Sequence, residues 1–288
     1  MNGIALALFA AVLLGSYMFG VKRYFADYAA SVYMFGVYAA AVAWYLPVAV
    51  ATTEGPPVPT SAVGLAASLA VSVGVVVALL AFFRALSTGD VSYVAPISKV
   101  VPAFVLPIEV LVLHERLSAM QVAGVVVVTL GLYLVNYEPG TLLEPLRRAV
   151  RARPAQLALL SAATFGVVDV GKRIVLQELG VEPAAFVVVM LVTTFVVISP
   201  LALPKLDRAT MAADWRKLVA FGAVVAAGQH VISLAFTTLP ASVASPIVNA
   251  QAVVAVLLGG VVLQEQDFRL RLAAASVAIS GVALITLG

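Results

Sequence analysis

A chain of 288 residues that is 63% hydrophobic, 11% charged and of mean hydropathy +1.10 cannot hide its apolar surface in one aqueous core. A soluble domain is about 45–50% apolar and about 25% charged, so lipid must act as the solvent here. The net charge of +3 and pI of about 9.2 reflect loop arginines and suit a membrane surface rather than nucleic acid, while the absence of cysteine excludes disulfides, zinc–thiolate sites and iron–sulfur clusters.

In chain order, apolar segments fall at about 2–21, 28–52, 61–87, 90–113 and 118–136. Five more follow at 154–175, 183–203, 215–239, 242–264 and 268–287. Each is close to the roughly 20 residues that cross a bilayer as a helix. The first has no basic leader and is long enough to span, so it reads as a helix, not a cleaved signal. Turn residues fall where helices should stop: Glu54-Gly-Pro-Pro, Ser87-Thr-Gly-Asp90, Glu138-Pro-Gly140, Glu182-Pro183 and Pro204-Lys-Leu-Asp207. Ser118 and Gln121 form a capping-box pattern, and Asp267 is placed to cap the tenth helix. The polar stretch ending RRAVRAR separates a first unit at 1–138 from a second at 154–288, with a linker at 139–153.

The chain also repeats itself. Residues 85–135 align on 235–285 at a spacing of 150, with Ser92 on Ser242, Pro96 on Pro246, Glu115 on Glu265 and Gly131 on Gly281. At the starts of the halves the spacing is 151, with Gly15 on Gly166 and Gly20 on Gly171. Five spans per half is an odd number, so the second half must enter the membrane in the opposite sense. The expected fold is an all-α integral membrane protein of ten transmembrane helices, arranged as two inverted five-helix repeats. This is the build of a secondary transporter, with its site at the midplane between the halves.

Polar residues inside the spans are the candidate site, because a charge at a helix centre costs about 2.5–3.5 kcal/mol on insertion scales. Lys99 lies about ten residues into the fourth span, and its repeat mate is Asn249, with Gln251 two residues on. Lys99 and Asn249 should therefore meet near the midplane and contact substrate. The alternative is a structural Lys99 paired with Glu109, Asp169 or a freed carbonyl. Tyr17, Tyr93 and His230 are further substrate-lining candidates, whereas Tyr33 and Tyr45 fit an interfacial aromatic belt better. Asp169 and Glu109 are candidate proton carriers; Asp169 equally fits an ion pair with Lys172 and Arg173, three and four residues on. Pro96 and Pro246 are a repeat pair assigned to helix geometry or hinging, and Glu115 and Glu265, at helix junctions, to structure. Pro102 and Pro107 add further bends to the fourth span.

The stretch from Gly89 to Gly131 resembles the repeat of the drug/metabolite transporter superfamily, specifically its EamA-type 5+5 transporters. The matching elements are Ser92-x-x-x-Pro96, Glu115, and Gln121-x-x-Gly124. The second half carries Ser242, Pro246 and Glu265, with Leu270-Arg-Leu-Ala273 in place of the Gln-x-x-Gly element. This resemblance implies a transporter of small metabolites: an amino acid or similar compound, exported, or else a sugar, a sugar phosphate or a choline-like cation. The expected partners are a small-molecule substrate, the lipid of the cell membrane and, as a coupling ion, protons; no nucleic acid is expected.

No cofactor or metal is expected. There is no G-x-x-x-x-G-K-[ST] loop for ATP, the two histidines are far apart, and no acidic pair is placed to hold magnesium on a lipid phosphate. A membrane-bound lipid enzyme and an ion channel are the weaker alternatives. Odd-numbered loops carry 13 Lys/Arg against 3 on the other side, which puts the linker in the cytoplasm and both termini outside, whereas many EamA relatives keep both termini in the cytoplasm.

Overall fold

With no water in the bilayer core to satisfy backbone groups, apolar runs of this length must fold as helices. The computed structural model describes residues 2–88, 91–135, 151–262 and 268–288. The first half contains α1 (Gly3–Tyr24), α2 (Ala30–Thr52), α3 (Ala62–Thr88), α4 (Val91–Ser98), α5 (Val101–Val112) and α6 (Ala119–Val135). The second contains α7 (Arg153–Arg173), α8 (Pro183–Ala202), a short α9 (Arg208–Ala213), α10 (Trp215–Phe236), α11 (Ala241–Asn249), α12 (Gln251–Val262) and α13 (Phe268–Leu287). There is no strand among the described residues. Counting α4 with α5 and α11 with α12 as single crossings, the chain makes ten. Glu265 and the cap expected at Asp267 lie outside the described residues, as do the side chains of Tyr93 and Pro96.

Local sequence accounts for the ends. Asn2 accepts a hydrogen bond from the Ile4 amide, and Ser118 and Gln121 bond reciprocally at 3.0 and 3.1 Å, the expected capping box. Pro183 opens α8 at a position where its missing N–H costs nothing. Three buried hydroxyls are answered within their own helices: Ser68 donates to the Gly64 carbonyl, Ser72 to Ser68 and Thr194 to Met190.

One expectation is corrected. The fourth and ninth spans are not continuous helices: the helix stops at Lys99–Val100 in the first half and at Ala250 in the second. These positions are repeat mates. Pro102 marks the restart of α5 as a first-turn proline, but α12 restarts without one. Broken helices at membrane depth survive only where their freed backbone lines a cavity or is buried in protein.

The packing is reciprocal between the halves, residue by residue. A methyl added at Gly15 would sit 2.6 Å from the Gln251 carbonyl and 2.5 Å from Val254. One added at Gly166 would meet the equivalent pair, the Val101 carbonyl at 3.5 Å and Phe104 at 2.7 Å. Gly20 abuts Phe221 as Gly171 abuts Val71, and Gly131 abuts the Ala278 backbone as Gly281 abuts that of Val128. Every residue in these pairs maps onto its counterpart at the spacing of 150 or 151. Small residues at the crossings let the helices approach closely enough for dispersion to hold them, which lipid cannot do by hydrophobic exclusion. The strongest packing is α6 on α13, α3 on α7 and α2 on α10, each joining one half to the other. Outward faces are apolar and exposed, as at Phe9, Val12, Val50, Leu130 and Val196, as lipid contact requires.

Candidate functional site

The helix breaks open onto a cavity of about 580 Å³ between the halves. It begins at the connection between α1 and α2, where Lys22 and Ala26 are exposed, and runs inward to Lys99, Asn249 and Gln251. Tyr17, Tyr33 and Tyr38 line it with Phe25 and Phe165, and its polar wall includes Ser98, Ser161, Gln229 and Asp169. Its walls come from every crossing except the fifth and tenth, α2 and α8 included. Lys99, Asn249, Gln251 and Tyr17 thus share one cavity. His230 is not among its lining residues; its Nδ1 lies 2.7 Å from the Tyr45 hydroxyl.

The belt assignment of Tyr33 and Tyr45 is corrected. Both are buried, Tyr33 donating to the Tyr17 hydroxyl at 2.8 Å and Tyr45 meeting His230. Tyrosine composition alone does not separate a belt from a cavity wall, since both offer an apolar surround with a polar tip to satisfy.

Asp169 and Glu109 have different surroundings. Asp169 lines the cavity; Lys172 lies 3.2 Å from its Oδ1, and Ser245 donates to its Oδ2 at 2.6 Å. Asn249 in turn donates to the Ser245 carbonyl at 2.9 Å, so a short chain of contacts runs from Asn249 through Ser245 to Asp169. Ser245 was not singled out in the sequence, and only its register on α11 beside Pro246 would have marked it. Glu109 is fully buried and accepts from the amides of Ala241 and Ser242 at 2.5 and 2.6 Å, capping α11 from another helix. Arg173 Nε stands 3.4 Å from the same carboxylate.

Arg173 is the hub that sequence spacing misassigned. It turns away from Asp169 and places Nη2 2.7 Å from Glu115, with Glu178 at 3.8 Å. Its nearest carboxylates come from the first half, Glu109 and Glu115, and beyond it the helix widens into a π-turn over Ile174–Glu178. Gln177, within that turn, donates to the carbonyls of Phe236 and Leu239 at 2.7 and 2.8 Å. Glu115 is thus the closest ionic partner of Arg173 among the described residues.

These contacts give the cavity a closed end. Following the ten crossings, residues 109–118, 173–182 and 236–241 share one membrane face, and 22–30 and 205–215 share the other. The first face is sealed by Glu109, Arg173, Glu115 and Gln177, none of which lines the cavity. At the other face the cavity reaches the surface past Tyr28, which donates to Asp214 at 2.9 Å. Desolvation and that carboxylate push the Tyr28 phenol up to about 12, while Lys217 and Tyr28 hold Asp214 below the usual carboxylate range. The link therefore persists from mildly acidic to alkaline pH: it weakens in acid as Asp214 protonates, and at the other extreme as pH rises through about 12.

Among the described residues, no acidic side chain pairs with Lys99, and no His/Cys/Asp/Glu group is placed to hold a metal. The two carboxylates that might have neutralised Lys99 are engaged by Lys172 and Arg173.

Comparison with known proteins agrees with this architecture. A solved structure described as "Crystal structure of protein" superposes with a TM-score of 0.82 over 99% of this chain and 96% of its own, at 15% identity. That identity speaks for the fold alone. No curated protein matches the chain. The model of the EamA-like transporter family matches twice, at residues 1–137 and 153–287. Two family repeats, meeting reciprocally around a membrane cavity, make this chain a multi-pass membrane protein of the EamA-like transporter family.

Proposed function

We propose that the protein is a secondary active carrier of the cell membrane, not an enzyme, that moves a small polar or amphipathic metabolite by alternating access. The observation that carries this reading is the cavity at the paired helix breaks, open toward one face and sealed toward the other by Glu109, Arg173 and Glu115. Exchange of the two halves about their common axis would seal the open face and release the closed one. The family favours an amino acid or similar metabolite, moved outward.

Lys99 tests the site. Lys99→Ala removes a charge-assisted contact worth about 1.5–3 kcal/mol, a roughly 10- to 150-fold loss of substrate affinity. It also removes a half-buried charge with no acidic partner among the described residues, so the melting temperature of the empty protein should not fall. A lower melting temperature with near-normal affinity would make Lys99 structural.

For coupling, Asp169 is the proton candidate, because it is the carboxylate in the cavity wall and contacts Asn249 through Ser245. Asp169→Asn should abolish transport driven by a pH gradient and leave substrate exchange intact. Gradient-driven transport at the wild-type rate would reduce Asp169 to the partner of Lys172.

The charge asymmetry orients the carrier with its open face, holding 22–30, in the cytoplasm. Since the chain lacks cysteine, one introduced between 141 and 150 reports sidedness cleanly. It should resist an impermeant thiol reagent in intact cells; rapid labelling from outside would reverse the orientation.

A further inference from the structure

Among the described residues, no carboxylate answers the charge of Lys99. This lysine stands at the break between α4 and α5 and lines the cavity. The rest of the lining does not compensate. The single carboxylate in the lining, Asp169, already lies 3.2 Å from Lys172. At the break, the C-terminal end of α4 and the N-terminal end of α5 meet, so their opposed helix dipoles largely cancel. The field at the site is therefore set by the lysine. At membrane depth an uncompensated charge is costly, and a bound counter-charge recovers part of that cost.

The other wall is apolar and ring-shaped. Tyr17, Phe25, Tyr33 and Phe165 line the same space, with Phe25 and Tyr33 centroids 4.8 Å apart. Such rings alone would equally suit a cation, but the charge of Lys99 in the same cavity disfavours one. The volume of about 580 Å³ holds a molecule of a ring and a few further atoms.

We infer, building on the carrier reading above, that the substrate is a small organic anion with an apolar or aromatic body, its carboxylate or phosphate held by Lys99 Nζ. The amide side chains of Gln229 and Gln251 lie in the same wall and can serve the polar atoms beside that head group.

The test uses matched probes on the purified full-length protein: 3-phenylpropionate, phenyl phosphate, zwitterionic phenylalanine and cationic phenethylamine, with choline as a second cation. Thermal stabilisation reads binding for each. At least one anion should stabilise the wild type and the two cations should not. Lys99→Met, which keeps length and apolar stem without charge, should lose roughly 10- to 150-fold in affinity for that anion; Lys99→Arg should retain most of it. Stabilisation by the cations, no stabilisation by either pure anion, or unchanged anion affinity in Lys99→Met each overturns the inference. The wild-type comparison needs no variant, so it decides even if a variant folds poorly. Flux into proteoliposomes separates this from the carrier reading. An anion that binds through Lys99 but never crosses would keep the anion site and sink the carrier, whereas a transported cation indifferent to Lys99 would do the reverse.

Discussion

Glu109→Ala is expected to destabilise the protein by about 3–5 kcal/mol, the cost of stripping one partner from a buried charge pair. Glu109 is fully buried and answers three donors at once: the amides of Ala241 and Ser242, and Arg173. Removing it leaves the first turn of α11 uncapped on a helix that ends at the cavity, and leaves Arg173 with Glu115 at 2.7 Å and Gln177 at 3.3 Å. Arg173 Nη1 and the Ser242 hydroxyl already lack hydrogen-bond partners among the described residues, so the loss adds to polar groups left unanswered. Glu109→Gln, which keeps an oxygen for one amide, should fall between. A proton-carrying Glu109 predicts a different pattern: a near-normal melting temperature and a shifted pH dependence of transport. Thermal melts and pH profiles on the same variants decide between them.

The second large effect is at the reciprocal crossing of α6 and α13. A β-carbon at Gly131 would lie 2.5 Å from the Ala278 Cα, and one at Gly281 would lie 2.8 Å from the Val128 Cα. The obstacle is backbone, which cannot rotate aside, so the helices must part. Gly131→Val or Gly281→Val should therefore cost at or above the upper end of the about 1–3 kcal/mol seen for overpacking. Because the two sites are symmetry mates, the two variants should lose similar stability. Leu130 sits on the same helix but is 54% exposed toward lipid, and Leu130→Val should stay within about 0.5 kcal/mol. Equal melting temperatures for Gly131→Val and Leu130→Val would show that the helices do not approach here.

The ten crossings and their reciprocity were legible because apolar length and the spacing of 150 report directly on lipid burial and repetition. Gly131 over Gly281 in the sequence became Gly131 on Ala278 and Gly281 on Val128 in space. The same register brought Lys99 and Asn249 to one cavity. The helix breaks were not legible. Prolines near Lys99 signal bending, but the second break, at Ala250, has no proline after it and depends on how the two halves meet. Arg173 was misread for a similar reason: spacing along the helix allows a pair with Asp169, but Glu109 and Glu115, brought in from the other half, take its guanidinium instead. Tyr33 and Tyr45 show the third limit, since whether a tyrosine faces lipid headgroups or a cavity is settled by its tertiary neighbours.

The central claim is that one site on the axis between the halves is served from each face in turn. The most direct measurement is counterflow in proteoliposomes, using whichever matched probe stabilises the protein. The account predicts saturable uptake of labelled probe, accelerated by unlabelled probe inside, and slowed at low probe concentration in Lys99→Met. Flux that rises linearly with concentration, carries an ohmic current and ignores probe on the far side would contradict it, because an open pore has no reason to wait for a site to return.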